Sequence, residues 1–131
     1  MNYLGEHLGL AANDPVSLRD WYVTRLGARQ LLELAQNPPA FMLELAGGVR
    51  LEIYQADFEV RQASDNKLRG WRHLALRVEN LEAAQAELEL AGVKFIEPVK
   101  PAGGGGRVLF FADPEGNLLH LVERPPGFSM V

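Results

Sequence analysis

The chain contains no cysteine, which excludes a disulfide framework and any metal site built from thiolates. No apolar run approaches the roughly 18 residues that a membrane-spanning helix needs. The stretch that begins at Met1 has no basic region followed by an apolar core, so no export signal is expected. Basic residues are outnumbered, with 13 Lys and Arg against 17 Asp and Glu and a net charge of −4. We therefore expect a cytoplasmic protein that binds neither nucleic acid nor a membrane surface.

Histidine is also scarce, and the three histidines of this 131-residue chain lie at related positions of an internal repeat. The segment around His7 resembles the segment around His73, about half a chain later. A second pair of segments, one around Glu52 and one around His120, repeats with nearly the same offset. Such a repeat indicates two copies of one structural unit. Each copy then carries a metal-capable side chain on its first strand and another on its last strand.

The alternation of side chains along these strands gives the four residues a common feature. Successive side chains of a strand point to opposite faces of the sheet. His7 and Glu52 in the first copy, and His73 and His120 in the second, each alternate with aliphatic residues. Because an aliphatic row packs under helices, we expect all four side chains on the opposite face.

Each copy is predicted to form a strand, a helix and three further strands, so the predicted fold class is α+β with two tandem βαβββ modules. Asp14 and Pro15 predict the start of the first helix, and Gly27 predicts its end. The second helix is predicted from Asn80 to about Leu90.

A short strand is predicted over Val93 to Ile96, directly after that second helix. We expect one domain over residues 1–131. Its parts are a first module at about 1–56, a connection at about 57–70, a second module at about 71–124 and a tail at 125–131.

The segments around the four repeat-related residues, together with the stretch from Phe111 to Leu121, resemble the vicinal oxygen chelate superfamily. This superfamily comprises glyoxalases, extradiol dioxygenases, fosfomycin-resistance enzymes and bleomycin-resistance proteins. The resemblance covers nearly the whole chain and implies homodimers in which the modules form a curved mixed sheet with an open cleft. It also implies a divalent metal ion (Zn, Ni, Fe, Co or Mn) held by one residue from each of four strands, namely His7, Glu52, His73 and His120.

By the same resemblance, we expect a metal-dependent, glyoxalase-like enzyme that performs isomerase, epimerase or lyase chemistry on a small oxygen-chelating substrate. His120 departs from the family pattern, because glyoxalase-like members and extradiol dioxygenases usually carry a carboxylate there. Glu52 is then the only carboxylate among the four predicted ligands, and we expect it to act as the catalytic base. Two alternatives stay open, a metal-free small-molecule binding protein of the bleomycin-resistance type and an extradiol-type dioxygenase.

Four more side chains on the ligand face of their strands are candidate substrate-binding residues: Arg50, Tyr54, Arg77 and Trp71. Guanidinium groups suit carboxylate or phosphate ligands, which they bind in bidentate geometry. The alternative for the arginines is pairing with acidic groups on a neighbouring strand, and for Trp71 a plain packing role. The run Gly103–Gly106 lacks the Lys and Ser or Thr of a phosphate-binding P-loop, so we interpret it as a flexible loop.

Overall fold

The computed structural model of the protein describes residues 1–57 and 64–130. The chain divides into two compact units, Met1–Val60 and Arg61–Val131. Each unit contains a strand, a helix and three further strands, and each forms its own four-stranded mixed sheet. The predicted α+β class with two tandem βαβββ modules is therefore confirmed. Residues 58–63 of the predicted connection lie outside the described residues, and the assignment of both modules to one domain stays a prediction.

The first unit comprises one helix and one sheet, whose strands are connected in the order β1-β4-β3-β2. Strands β1 and β4 are parallel, whereas β3 is antiparallel to both β4 and β2. The elements in chain order are β1 (Leu8–Ala12), α1 (Pro15–Leu26), β2 (Arg29–Leu34), β3 (Ala40–Glu44) and β4 (Arg50–Gln55).

The second unit repeats this connectivity with the strand order β5-β8-β7-β6. Strands β5 and β8 are parallel, and β7 is antiparallel to both β8 and β6. The elements in chain order are β5 (His73–Arg77), α2 (Leu81–Leu90), β6 (Lys100–Pro101), β7 (Arg107–Ala112) and β8 (Leu118–Glu123).

Both helices begin at side-chain caps that the sequence predicted. The carboxylate of Asp14 accepts a hydrogen bond from the backbone N–H of Ser17 at 3.0 Å, and Pro15 occupies the first turn. The side chain of Asn80 accepts from the backbone N–H of Ala83 at 2.8 Å. These bonds satisfy backbone donors that have no partner within a helix. The helix starts are therefore determined by local sequence.

Each unit buries its helix against its own sheet. Helix α1 packs on β3 and β4, and α2 packs on β8. The buried residues of the first unit include Leu18 and Tyr22 of α1 together with Phe41 and Ile53 of the sheet. The helix side of the second unit is formed by Leu81 and Leu88 of α2, with Leu109, Phe111, Leu119 and Leu121 of the sheet. The aliphatic rows of the strands thus form the two cores.

The prediction of a strand over Val93 to Ile96 is wrong. This segment contains only an isolated bridge between Phe95 and Phe111, with one hydrogen bond from Ile96 N–H to Phe110 O. Pro98 follows shortly and lacks a backbone N–H, so a ladder cannot continue regularly there. The sixth strand is instead the two-residue Lys100–Pro101, which pairs with β7. Among the described residues, neither helix has the length and apolar character needed to cross a bilayer.

Candidate functional site

The second unit brings two of the predicted metal ligands, His73 and His120, together on one face of its sheet. Strands β5 and β8 are parallel neighbours in which Ala75 is the register partner of His120. The centroids of the two imidazole rings lie 4.7 Å apart. Two ring nitrogens that share one ion, each at about 2.1 Å, stand no more than roughly 4 Å apart. The spacing of the rings is compatible with a common ligand.

Hydrogen bonds define which nitrogen of each ring is available. Nδ1 of His73 lies 2.8 Å from the side-chain oxygen of Asn66, and Nδ1 of His120 lies 3.2 Å from the carbonyl oxygen of Leu121. Because both partners are acceptors, Nδ1 carries the proton in both rings and the lone pair is on Nε2. Metal-binding histidines are typically oriented by such a bond from the other ring nitrogen.

His120 is also held in the neutral form that a metal ligand needs. It is buried within β8, with 6% of its surface exposed. Burial lowers the pKa of His120, and the positive charges of nearby Arg124 and Lys100 act in the same direction, whereas the bond to Leu121 opposes them. At neutral pH the imidazole is therefore a free base with an available lone pair.

Phe110 completes an aromatic cluster with the two histidines, and sequence reasoning missed it. Its ring centroid lies 4.8 Å from that of His120 and 5.9 Å from that of His73. The ammonium nitrogen of Lys100 lies 4.7 Å from the centroid of the Phe110 ring. The turn around Glu115 was a usable signal, because the two strands of a hairpin place residues equally far from its centre opposite each other. Phe110 and His120 are register partners for this reason.

Asp113 fixes the turn that sets this register. It is 4% exposed, and its Oδ1 accepts hydrogen bonds from the backbone N–H groups of Glu115 at 2.9 Å and Asn117 at 3.0 Å. Its Oδ2 accepts from the side-chain amide of Asn117 at 2.8 Å. The stretch from Phe111 to Leu121, which resembles the superfamily, therefore contains a turn held by hydrogen bonds. This turn places Phe110 beside His120.

The first unit holds the other two predicted ligands, His7 and Glu52. Glu52 is half-buried on β4 and is the register partner of Gly9 in β1. His7 directly precedes β1, and its Nδ1 lies 2.9 Å from a carboxylate oxygen of Glu6. A Cβ at Gly9 would lie 3.3 Å from the Tyr54 ring, so the glycine allows Tyr54 to pack over β1. Tyr54 and Glu52 therefore share the face that His7 borders.

The chemistry of these donors fits a borderline divalent ion. Neutral imidazole nitrogen and carboxylate oxygen are ligands for Zn, Ni, Fe, Co and Mn. In neither unit, across the residues that the structure describes, do three or more His, Asp or Glu side chains gather as a metal-ligand group. The structure thus brings together one pair, His73 with His120, and places His7 just before β1 and Glu52 on the adjacent β4, while one site of all four residues stays a prediction.

The remaining predicted substrate-binding residues have different surroundings. Arg50 forms an ion pair with Glu44 on the neighbouring strand at 3.0 Å, and Arg29 contacts the same carboxylate at 3.0 Å. Hydrogen bonds from both arginines lower the pKa of Glu44. This arrangement favours the alternative in which Arg50 pairs with an acidic group on a neighbouring strand and does not bind substrate. Trp71 is 91% exposed.

Comparison with known proteins gives concordant results. The family model for the Glyoxalase/Bleomycin resistance protein/Dioxygenase superfamily matches residues 6–121. The uncharacterized protein YaeR of Escherichia coli K12 is 30% identical over 125 residues, which cover 90% of this chain and 94% of YaeR. YwkD of Bacillus subtilis, also uncharacterized, is 27% identical over 122 residues, with 90% and 94% covered.

Solved structures show the same fold. A glyoxalase family protein from Enterococcus faecalis has a TM-score of 0.77 at 30% identity, covering 92% of this chain and 97% of that chain. The fosfomycin resistance protein FosX from Listeria monocytogenes, complexed with Mn(II) and sulfate, has a TM-score of 0.71 at 19% identity, covering 96% and 94%. The tandem modules, the extent of the family match and these likenesses agree, and the chain belongs to the glyoxalase/bleomycin resistance protein/dioxygenase superfamily.

Proposed function

We propose that the protein is a divalent-metal-dependent enzyme of the glyoxalase-like group. The observation that carries this proposal is the paired arrangement of His73 and His120, whose rings lie 4.7 Å apart. Both rings use Nδ1 as a hydrogen-bond donor and so keep Nε2 for a ligand. His7 and Glu52 are the proposed ligands from the first unit.

Two features of the relatives support the proposal. FosX, which has the same fold, binds Mn(II) in its crystal structure. The Enterococcus faecalis protein, at 30% identity, is described as a glyoxalase family protein. The proposed substrate is a small molecule with two neighbouring oxygen atoms. A homodimer in the cytoplasm is part of the same proposal.

Glu52 is the proposed catalytic base. Among the four proposed ligands it is the only carboxylate, and it is half-buried on β4. A bound divalent ion would act as a Lewis acid on a carbonyl or enolate oxygen of the substrate. Glu52 would accept the proton from the C–H next to that oxygen-bearing carbon, and a divalent ion with one carboxylate ligand would keep a net positive charge for an anionic oxygen pair of the substrate.

Metal content provides the first test. We expect purified protein, or protein reconstituted with Zn, Ni, Mn, Fe or Co, to bind one divalent ion per site as measured by elemental analysis. His73→Ala and His120→Ala should each abolish stoichiometric uptake. Glu33→Gln is the matched control for Glu52→Gln, because Glu33 is an exposed carboxylate on β2. The absence of uptake by wild-type protein would contradict the proposal.

Proton transfer provides the second test. The metal-loaded protein is incubated in D2O with a panel of 2-hydroxy and 2-oxo carbonyl compounds, and C–H exchange is followed by NMR. Glu52→Gln should lose at least about a hundredfold in exchange rate, since a positioned base contributes roughly that much or more. The Glu33→Gln control should exchange at the wild-type rate. Equal rates in Glu52→Gln and wild type would assign the base to another residue.

A metal-free binding protein is the second candidate, and one observation favours it. The face around His120 carries a cluster of buried apolar residues, Val108, Phe110, Leu118 and Val122, with Ala102 packed against it. Such a surface suits an apolar or aromatic ligand. Calorimetric binding of such a ligand by chelator-treated protein, together with no metal uptake, would select this function. Oxygen consumption by the Fe- or Mn-loaded protein with a catechol would instead select a dioxygenase.

A further inference from the structure

The arginines at the ends of β5 and β8 share an aromatic partner. Arg77 is the last residue of β5, and Arg124 directly follows β8. By strand alternation both lie on the face that carries His73 and His120. The Cζ atom of Arg77 lies 5.6 Å from the centroid of the Phe128 ring, and that of Arg124 lies 4.4 Å from the same centroid. One ring thus covers two guanidinium groups.

These two guanidinium groups have no acidic partner among the described residues, unlike Arg107 and Arg50. Arg107 pairs with Glu82 and Glu123, and Arg50 pairs with Glu44. Arg124 instead donates from Nη1 to the carbonyl oxygens of Gly103 and Gly105.

The Nε atom of Arg124 is buried and has no hydrogen-bond partner within the described chain. A buried donor without a partner is costly and calls for an explanation, such as a ligand that binds there. Two adjacent cationic groups with unused N–H donors suit one anionic group, which guanidinium binds in bidentate geometry.

We propose that Arg77 and Arg124 form a binding site for a carboxylate, phosphate or phosphonate group, and that Phe128 covers this site in the free protein. Phe128 is half-buried, whereas the flanking residues of the segment Pro125–Met130 are exposed, so this ring is its main anchor. A bidentate ion pair is stronger than a cation–π contact near the surface. An anion therefore displaces the ring and satisfies the donors that it covers.

The anion site of Arg77 and Arg124 adds to the proposed metal-dependent function. Its binding of anions does not require a bound metal. His73 and Arg77 are separated by four residues of β5, about 13 Å between Cα atoms. Both side chains are long enough to reduce this gap. If the metal proposal is correct, the substrate carries an anionic group a few bonds from its chelating oxygens. If that proposal fails, anion binding by Arg77 and Arg124 is unaffected.

The test measures binding of inorganic phosphate and, separately, of malonate to the full-length, chelator-treated protein by calorimetry at low salt. We expect Arg77→Ala to weaken binding at least about tenfold, since hydrogen bonds to a charged group are strong. Arg25→Ala is the matched control for lost charge, because Arg25 lies on α1 and, among the residues that the structure describes, has only Thr24 as a hydrogen-bond partner. Arg124→Lys, which keeps the charge but not the planar fork, should also weaken binding.

Phe128→Ala tests whether the Phe128 ring blocks the anion site or instead stabilises it. Removal of a covering ring should tighten anion binding by several fold, because nothing has to be displaced. Preference for phosphate or malonate identifies which anionic group the site takes. The proposal is overturned if Arg77→Ala binds both anions as tightly as Arg25→Ala, or if Phe128→Ala binds them no more tightly than wild type. The absence of any binding by wild type and Phe128→Ala alike overturns it as well.

Discussion

The close approach of Gly106 to β8 yields the sharpest test of the structure around this face. A Cβ added at Gly106 would lie 2.0 Å from the carbonyl oxygen of Glu123 and 3.0 Å from the Cα of Arg124. Both neighbours are backbone atoms, so no side-chain rotation can relieve the contact. Gly106→Ala must therefore move the start of β7 away from the end of β8, where Arg124 is held.

Gly116→Ala is a matched control for this substitution. Gly106 and Gly116 have positive φ angles of 99° and 86°, but no atom of the described part of the chain lies within 4 Å of a Cβ at Gly116. Alanine in such a conformation costs about 1–2 kcal/mol at either position. At Gly106 the displacement also disrupts the hydrogen bond from Ala102 N–H to Gly106 O, which adds about 1–3 kcal/mol.

We expect the two variants to differ by about 2 kcal/mol in the free energy of unfolding, with Gly106→Ala the less stable. For a chain of this size the difference corresponds to roughly 6–10 °C in Tm. Thermal unfolding followed by circular dichroism, checked by urea titration, measures it. Equal melting temperatures for Gly106→Ala and Gly116→Ala would refute the contact and the strand geometry on which it depends.

Three further predictions concern the turn, the response to acid and assembly. Asp113→Ala should lower the free energy of unfolding by about 2–4 kcal/mol in urea titration, because three hydrogen-bond donors lose the carboxylate that accepts from them, and an effect below about 0.5 kcal/mol would contradict its role. Hydrogen bonds from Arg107 lower the pKa values of Glu82 and Glu123, so their stabilisation is complete above the unfolded pKa of about 4.3 and is lost as pH falls through the folded pKa values. The urea midpoint of Arg107→Gln should therefore fall less steeply than that of wild type below about pH 4.3, and parallel curves would count against the ion pairs. Sedimentation should show a species of twice the 14.5 kDa chain mass, and a lone monomer at micromolar concentration would exclude the proposed homodimer.

The helices and most strands could be predicted because their signals are local. Asp14 and Asn80 accept hydrogen bonds from the first turns of their helices, so the relevant interactions span only a few residues. The repeat added the topology, since two similar segments fold into similar units. The sixth strand could not be predicted in the same way. Lys100 and Pro101 form a strand only because β7 offers a partner, and nothing in their own pattern indicates it.

The candidate site shows the same division between local and tertiary information. Strand alternation was sufficient to bring His73 and His120 to one face. It could not predict that Phe110 lies beside His120, because that contact depends on the hairpin register that Asp113 fixes. The contacts of Phe128 with Arg77 and Arg124 could not be predicted either, because residues 125–131 were predicted only to form a tail. Tertiary contacts of this kind leave little trace in sequence periodicity.

The distance between the histidines and the arginines along β5 and β8 leads to a last prediction. His73 begins β5 and Arg77 ends it, so their Cα atoms lie about 13 Å apart, and His120 precedes Arg124 by the same number of residues. Groups that are more than about 10 Å apart and share no partner act nearly independently, which applies to His73 and Arg77, whereas the charge of Arg124 reaches His120 and lowers its pKa. Arg77→Ala should therefore leave metal stoichiometry unchanged, and His73→Ala should leave phosphate affinity within about twofold of wild type. If either substitution abolishes both kinds of binding while the fold is intact by circular dichroism, the imidazole and guanidinium groups form a single site, and the substrate is smaller than this spacing implies.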